Sequence, residues 1–157
     1  MTMLFCNEGD IREVYGKLTF GADGLAYYRD VSGIPSMRVR CAVPQNDGSY
    51  MIYGLAGGHD TDWRIIRSQT RDGIHYENTE TVHDEPTGPW LTEADIAHNA
   101  SDNSLLCLKW RRGETGHALW AFGSEDGSRW RSLSDRPVYI DHDAFGLTWD
   151  EKTQRLL

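Results

Sequence analysis

An all-β fold is predicted by three features of the 157-residue sequence. Its apolar residues, 39% of the chain, occur in short bursts of Tyr, Trp, Val and Ile rather than in long helix-forming runs. The chain's 16 glycines separate these bursts. Turn signals such as Asp-Gly recur between them, and this dipeptide supplies the positive φ angles that tight antiparallel hairpins require.

A turn of the form Asp-Gly-x-x-aromatic repeats along the chain. Its aspartates are Asp23, Asp72 and Asp126, spaced 49 and 54 residues apart. A second series of turns interleaves with the first, at Asp47-Gly48, Asp102-Asn103 and Asp150-Glu151. A repeat of about 50 residues built from short strands has the size of a four-stranded blade of a β-propeller. The sequence therefore predicts propeller blades.

The bursts fit two complete blades and two partial ones. In the first complete blade, residues 37–82, the expected strands are Met37–Val43, Tyr50–Leu55, Trp63–Ser68 and His75–Val82. In the second, residues 96–133, they are Ile96–Asn99, Leu105–Trp110, His117–Gly123 and Arg129–Leu133. Residues 17–30 and 143–157 supply the partial blades, with two expected strands each.

Residues 1–157 are thus expected to form a single propeller segment of about three blades. A full ring would hold about five to seven blades. We therefore expect a second chain or a further segment to complete it.

Charge and composition exclude several kinds of partner. The formal net charge is -8, which argues against nucleic acid and anionic membranes, since both reward clustered positive charge. The one dense basic spot, Lys109–Arg112, is expected to be a solvated hairpin. No apolar run approaches the roughly 20 residues that span a bilayer, and no signal peptide is visible, so a cytoplasmic location is expected. The three widely spaced cysteines predict free thiols.

Two of the turns carry a family resemblance. Thr70-x-Asp72-Gly73-x-x-Tyr76 and Ser124-x-Asp126-Gly127-x-x-Trp130 resemble the Asp-box-like turns of propeller glycosidases, which include sialidases and the arabinanase- and invertase-like enzymes. The stretches 48–53 and 64–68 are also similar to blades of those enzymes. The Asp23 turn departs from the pattern because it lacks the preceding Ser or Thr. The resemblance covers about residues 17–157 and implies carbohydrate chemistry.

Topology predicts which face of the segment carries chemistry. In an up-and-down blade, the Asp-Gly turns lie on one face, and the second-to-third-strand hairpins lie with the interblade links on the other. That other face is expected to gather the candidate side chains. The catalytic candidates are Asp62, Glu93, Asp95 and Asp143, and the substrate-binding candidates are Arg38, Asp60, Trp90, His98 and His142.

Glycoside hydrolysis requires one carboxylic acid to protonate the leaving oxygen and one carboxylate as base or nucleophile. Glu93 or Asp95 paired with Asp143 is the expected couple, and Asp62 would orient it and tune its pKa. Trp90 would stack on a sugar ring, and Arg38 would bind a carboxylated sugar or neutralise the acids. The expected activity is that of a glycoside hydrolase acting on an oligosaccharide or glycoside.

Other interpretations stay open at this point. Asp60 and Asp62 are also typical of ordinary turns, and Glu93 and Asp95 could cap a short helical turn. The triplet 141–143, Asp-His-Asp, could bind a divalent cation, but no second cluster has ligand spacing, so no cofactor is expected.

Two further functions fit the same fold. A polysaccharide lyase would use His and Tyr, with His98, His142 and Arg38 as the residues of interest. A non-catalytic propeller would bind glycans or protein partners.

Overall fold

The computed structural model describes residues 2–8, 13–20, 26–30, 37–57, 62–73, 75–85, 90–112, 117–140, 149–150, 152–153 and 155–156. Within these ranges every strand pairing is antiparallel and no helix occurs. The all-β prediction is therefore confirmed. No helix of the described residues is long and apolar enough to cross a membrane.

Three strands near the N-terminus form one sheet, and two short strands near the C-terminus form a pair. The first three are β1 (Thr2–Glu8), β2 (Glu13–Phe20) and β3 (Ala26–Asp30), in that spatial order. The sequence predicted two strands in this region, at 17–20 and 25–29, and both exist with shifted boundaries beside the additional β1. The C-terminal pair is formed by residues 149–150 and 155–156, numbered β13 and β14 below.

Sheet I contains four strands in chain order. They are β4 (Arg38–Pro44), β5 (Tyr50–Gly57), β6 (Trp63–Thr70) and β7 (Glu77–Glu85). This is the connectivity predicted for residues 37–82. The last strand was expected at His75–Val82 and spans Glu77–Glu85. It ends later than expected because its pairing with β6 extends to Glu85, which lies opposite Trp63.

Sheet II has the same order with a divided last strand. It contains β8 (Trp90–His98), β9 (Leu105–Arg112), β10 (His117–Ser124), β11 (Arg131–Ser132) and β12 (Tyr139–Ile140). The two short strands β11 and β12 both pair with β10, at different points along it. The predicted last strand, Arg129–Leu133, is therefore longer than the observed β11. Two further strands, β13 (Trp149–Asp150) and β14 (Arg155–Leu156), follow.

The largest boundary error concerns the first strand of sheet II. It was predicted to begin at Ile96, but β8 begins at Trp90 and pairs with β9 from Trp90 opposite Arg111 to His98 opposite Leu105. Its charged residues Glu93 and Asp95 suggested a link between blades. The pairing of Asp95 with Leu108 overrides its local signal, because it satisfies backbone groups that a link would leave exposed; between Trp90 and Ala94 the pairing is irregular.

A single buried core lies between sheets I and II. Side chains alternate along the strands, so Trp63 and Ile65 are fully buried while Arg64 between them is exposed. Sheet I contributes Val43, Tyr53, Leu55, Trp63 and Ile65, and sheet II contributes Ala94, Ile96, Leu105, Cys107, Phe122 and Trp130. The first strands also touch, since Arg40 Nε on β4 donates to the Ala94 carbonyl on β8 at 3.0 Å. The two sheets therefore pack as one unit.

Candidate functional site

The two Thr/Ser-x-Asp-Gly turns close with the same hydrogen bonds. In the first, the amide of Gly73 donates to Thr70 Oγ1 at 2.9 Å, and the amide of His75 donates to Asp72 Oδ1 at 2.8 Å. The second repeats this arrangement: Gly127 N donates to Ser124 Oγ at 2.9 Å, and Arg129 N to Asp126 Oδ1 at 2.9 Å. Both glycines have positive φ, 69° and 70°. The repeat seen in the sequence is thus a repeated three-dimensional turn.

The interleaved turns share a simpler pattern. Each aspartate accepts a hydrogen bond from the backbone amide two residues later, at 3.0 Å for Asp47, 2.8 Å for Asp102 and 3.0 Å for Asp150. Hydrogen bonds from the following Ser or Thr hydroxyls and amides lower the pKa of all three carboxyls. Arg71 Nη2 also lies 2.6 Å from Asp47 Oδ2, so the two kinds of turn in sheet I meet on one face. This face was expected to be structural.

Asp126 has the most perturbed carboxyl of these turns. Backbone hydrogen bonds from Arg129 and Ser128 lower its pKa to about 2, with a smaller contribution from the Ser124 hydroxyl. A carboxyl whose pKa falls on folding stabilises the native state above its unfolded value of 3.8. That stabilisation is lost as the pH falls through about 2.

Asp126→Asn is expected to lower the urea midpoint of unfolding at pH 7, because the neutral amide is a weaker acceptor for the turn amides. The gap from the unsubstituted protein should narrow below about pH 4 and close near pH 2, as its own Asp126 becomes protonated. Urea titrations followed by tryptophan fluorescence between pH 2 and 7 measure this. Glu125→Gln, which leaves the turn's hydrogen bonds intact, is the matched control. A gap that is constant with pH would contradict the prediction.

The Asp126 turn also joins the two sheets. A Cβ atom at Gly127 would lie 1.9 Å from Tyr53 Oη, so the Tyr53 ring of sheet I packs directly on this glycine. The same ring meets Trp130 edge-on, with centroids 6.3 Å apart. Tyr53 and Trp130 are 4% and 8% exposed. The aromatic residue of the repeat therefore serves packing between the sheets.

Charged groups of both signs act on two cysteine thiols, Cys41 of sheet I and Cys107 of sheet II. Burial raises the pKa of Cys41 on β4 to about 11 and of Cys107 on β9 to about 12. The charge of Asp95 raises both pKa values further, while the charges of Lys109 and Arg40 lower that of Cys107. Asp95 is half-buried. Its charge therefore acts on both thiols, while its pairing partner on β9 is Leu108 and its neighbours Ala94 and Ile96 are the β8 residues in the core between sheets I and II.

Lys109 is the residue that sequence reasoning missed. It was expected on a solvated hairpin, but its side chain is 1% exposed and its Nζ lies 5.6 Å from the centre of the Trp63 ring. Arg111 and Arg112 are exposed, as expected. The alternation of side chains along β9 could have predicted the burial of Lys109, because it follows the buried Leu105 and Cys107 at intervals of two residues.

The predicted site residues divide into three groups by how much of each residue the structure describes. Three of them, Asp60, His142 and Asp143, lie outside the described residues. Glu93 and Trp90 belong to β8 by their backbone, and their side chains lie outside the described ones. The remaining four are described: Arg38 begins β4, Asp62 is exposed beside β6, and Asp95 and His98 lie on β8.

The structure separates two candidates that were expected to share one mouth. Trp90 and His98 lie at opposite ends of strand β8, roughly 20 Å apart at the usual rise per residue, since their partners on β9 are Arg111 and Leu105, six residues apart. His98 therefore lies at the end of its strand, beside the Asp-Gly turns, and not at the start as predicted. The error follows from placing the beginning of β8 at Ile96. Among the described residues, no group of three His, Cys, Asp or Glu side chains could hold a metal ion.

Comparison with known proteins places this fold in context. No family model matches the sequence. Uncharacterized proteins from two strains of Mycobacterium tuberculosis are each 31% identical over 127 residues, which is 69% of this chain and 37% of each relative. The chain therefore spans little more than a third of the curated relatives it matches.

A solved structure supplies the fold relationship. An N-acetylgalactosamine deacetylase from F. plautii, determined in complex with blood group B trisaccharide, is similar with a TM-score of 0.53 and 14% identity. The match covers 78% of this chain and 36% of that one. The fold of this all-β chain is thus similar to part of a carbohydrate-processing enzyme.

Proposed function

We propose that the chain is part of a β-propeller that acts on carbohydrates, with sheets I and II as neighbouring blades. Three observations support this: the two sheets share one strand order, they enclose a common core, and their turns repeat the same hydrogen bonds. The structural similarity to a deacetylase that was solved with a trisaccharide supports a carbohydrate ligand. A second chain or further segment would complete the ring.

The site is chosen on the basis of one contact between the first strands of sheets I and II. The Arg40 side chain of β4 donates to the Ala94 carbonyl of β8, so the first strands of both sheets lie side by side with Asp95 next to the contact. In a propeller the first strands line the central channel, where ligands can reach them. Asp95 is a half-buried carboxylate there, with the positive charges of Arg40 and Lys109 close enough to act on the same thiol.

The reaction proposed is glycoside hydrolysis by two carboxyl groups. One protonates the glycosidic oxygen as it leaves, and the other acts as base or nucleophile on the opposite side of the sugar. Asp95 is one member of the pair, and Asp143 or Glu93 is the other. Arg38, at the start of β4, would contact the substrate.

Asp95→Asn is expected to lower kcat/KM for glycan cleavage by about 10²–10⁴-fold, the usual contribution of a positioned acid or base. The assay measures release of new reducing ends from a panel of oligosaccharides by the purified protein. Asp84→Asn, on the exposed face of β7, is the matched control and should retain full activity. Asp143→Asn tests the partner in the same assay.

Three results would contradict the proposal. Cleavage that survives both Asp95→Asn and Asp143→Asn would exclude this carboxylate pair as the catalytic groups. Acetate released without new reducing ends would assign deacetylation instead. Glycan binding with neither product would favour a non-catalytic glycan-binding protein.

A further inference from the structure

A cavity of about 740 Å³ lies on the face of sheet I that is turned away from sheet II. Met51 and Tyr53 of β5 pack in the core between the sheets, so Tyr50 and Ile52 point to the other side. Asp95 is not among the described lining residues, so the cavity is distinct from the site proposed above. We call it the turn pocket because it reaches the first Asp-Gly turn. It is lined by residues 39–42, Tyr50, Ile52 and residues 70–73.

The equivalent positions of sheet II show what the turn itself requires. Leu105 occupies in β9 the position that Tyr50 has in β5, since each lies opposite the first residue of its turn. Leu105 is 4% exposed, whereas Tyr50 is 46% exposed. Glu125 of the second turn takes the place of Arg71 in the first, and both turns close with the same hydrogen bonds. The turn therefore does not require Tyr50 or Arg71, which are specific to the turn pocket.

Tyr50 and Arg71 present two kinds of group to a ligand. The hydroxyl of the half-exposed Tyr50 has no hydrogen-bond partner among the described residues. Arg71 Nη1 donates to the Asp47 carbonyl at 2.9 Å, and its Nη2 donates to Asp47 Oδ2 at 2.6 Å. These two bonds orient the guanidinium and leave its other N–H donors for a ligand. The turn pocket therefore combines an aromatic surface with oriented hydrogen-bond donors.

The charged groups of the turn pocket already have partners. Arg71 is paired with Asp47, and Asp72 Oδ2 lies 2.6 Å from His75 Nδ1. Arg40 donates a hydrogen bond to the first strand of sheet II. A charged ligand would compete with these contacts, whereas an uncharged ligand would leave them in place. The lining therefore favours an uncharged molecule that offers hydroxyl groups.

The extent of the turn pocket favours a ligand of more than one unit. Its lining includes Arg40, and it includes Tyr50, which lies opposite Pro44 four residues further along β4. This separation is roughly 13 Å at the usual rise per residue, which is longer than one sugar ring. We infer that the turn pocket binds an uncharged oligosaccharide at a second carbohydrate site, with one sugar ring stacked on Tyr50 and a hydroxyl group hydrogen-bonded to Arg71. The choice of a carbohydrate rests on the proposed function.

The test is an NMR titration of the Asp95→Asn variant with ¹³C-labelled tyrosine rings, because this variant should not cleave the probes. Cellotriose, xylotriose and galactotriose are the uncharged probes. At least one of them is expected to shift the Tyr50 ring resonances in a saturable manner, and Tyr50→Phe assigns these resonances by their loss. Tyr139, which is 52% exposed on sheet II, is the internal control, and its resonances should not move.

A second variant tests the hydrogen bond from Arg71. Arg71→Ala should weaken binding about tenfold, as expected for loss of one hydrogen bond from a charged group. Arg131→Ala is the matched control, because Arg131 is another exposed arginine that pairs with a carboxylate, and it should not affect affinity. Circular dichroism verifies that each variant is folded. Trigalacturonate should bind more weakly than the uncharged probes.

Several outcomes would overturn the inference. One is the absence of saturable Tyr50 shifts with all three uncharged probes, and another is equal affinity with and without Arg71→Ala. Trigalacturonate binding as tightly as the uncharged probes would refute the uncharged ligand. Failure of the proposed enzyme would give a different result. Saturable Tyr50 shifts would then support the second carbohydrate site, while the unsubstituted protein would release no reducing ends from the same oligosaccharides.

Discussion

Replacing Trp63 with alanine is expected to lower the free energy of unfolding by about 3–5 kcal/mol, the range for deleting a large buried aromatic side chain. Trp63 is 0% exposed and belongs to β6 of sheet I. Its ring lies 5.1 Å from that of Phe122 in sheet II, in an edge-on arrangement, and 5.3 Å from His83. The Lys109 ammonium also lies near its face. The cavity left behind would therefore weaken both sheets at once.

Urea unfolding followed by far-UV circular dichroism measures this loss. Because the two sheets share the core around Trp63, the variant should still unfold in one transition, at a lower urea concentration. Trp63→Phe keeps an aromatic ring and should cost less than the alanine change. Tyr50→Ala, at a side chain that is 46% exposed, is the surface control and should change stability by about 0.5 kcal/mol or less. A loss below about 1 kcal/mol for Trp63→Ala would contradict a core shared by the sheets.

Gly127→Ala is expected to destabilise the protein by about 2–5 kcal/mol for two separate reasons. Its φ of +70° lies in the left-handed region, where an L side chain costs about 1–2 kcal/mol. The new methyl group would also lie 1.9 Å from Tyr53 Oη and 2.8 Å from Tyr53 Cζ, so the buried ring would have to move. Overpacking of this kind typically costs about 1–3 kcal/mol.

Gly48→Ala isolates the backbone contribution. Gly48 has a φ of +79°, but a Cβ atom there would meet nothing within 4 Å. Its substitution should therefore cost about 1–2 kcal/mol, less than Gly127→Ala in the same thermal or urea measurement. Tyr53→Phe combined with Gly127→Ala should recover part of the excess, because the nearest clashing atom is removed. Equal losses of stability for Gly48→Ala and Gly127→Ala would show that the Tyr53 ring moves aside without an energetic cost, and would contradict the prediction.

Local signals account for most of the fold that the sequence predicted. Asp-Gly and Asp-Asn dipeptides fix hairpins through short-range geometry, so the order of strands in sheets I and II followed from their spacing. The start of β8 did not follow, because Asp95 is a poor strand former whose conformation depends on its pairing with Leu108 of the partner strand β9. The burial of Lys109 was missed for a similar reason. It depends on Trp63 of the other sheet, which lies 46 positions earlier in the chain.

The candidate site could be predicted less well than the fold. Residue types suggested acids and imidazoles, and the charge of Asp95 acts on a thiol of each sheet. Whether these acidic and imidazole side chains share one site depends on which end of its strand each residue occupies. The predicted start of β8, Ile96, is six residues later than the observed start, Trp90. Because of this error the prediction put His98 on the face of the segment opposite the Asp-Gly turns. The cavity between sheets I and II that is lined by Tyr53, His98 and Asp126 could not be predicted at all, because its three turns and two sheets are brought together only by tertiary packing.

The contact between Tyr53 and Gly127 has a consequence for how such a chain can grow during evolution. One unit of about 50 residues supplies an aromatic ring, and the following unit supplies the glycine turn that rests on it. In the next unit the strand position of Tyr53 is taken by Leu108, which packs beside Trp110 and Leu119 on the outward face of sheet II. The joint therefore takes one half from each of two consecutive units. A duplicated coding segment would add a unit that needs a ring at the Leu108 position before a following glycine turn could rest on it in the same way.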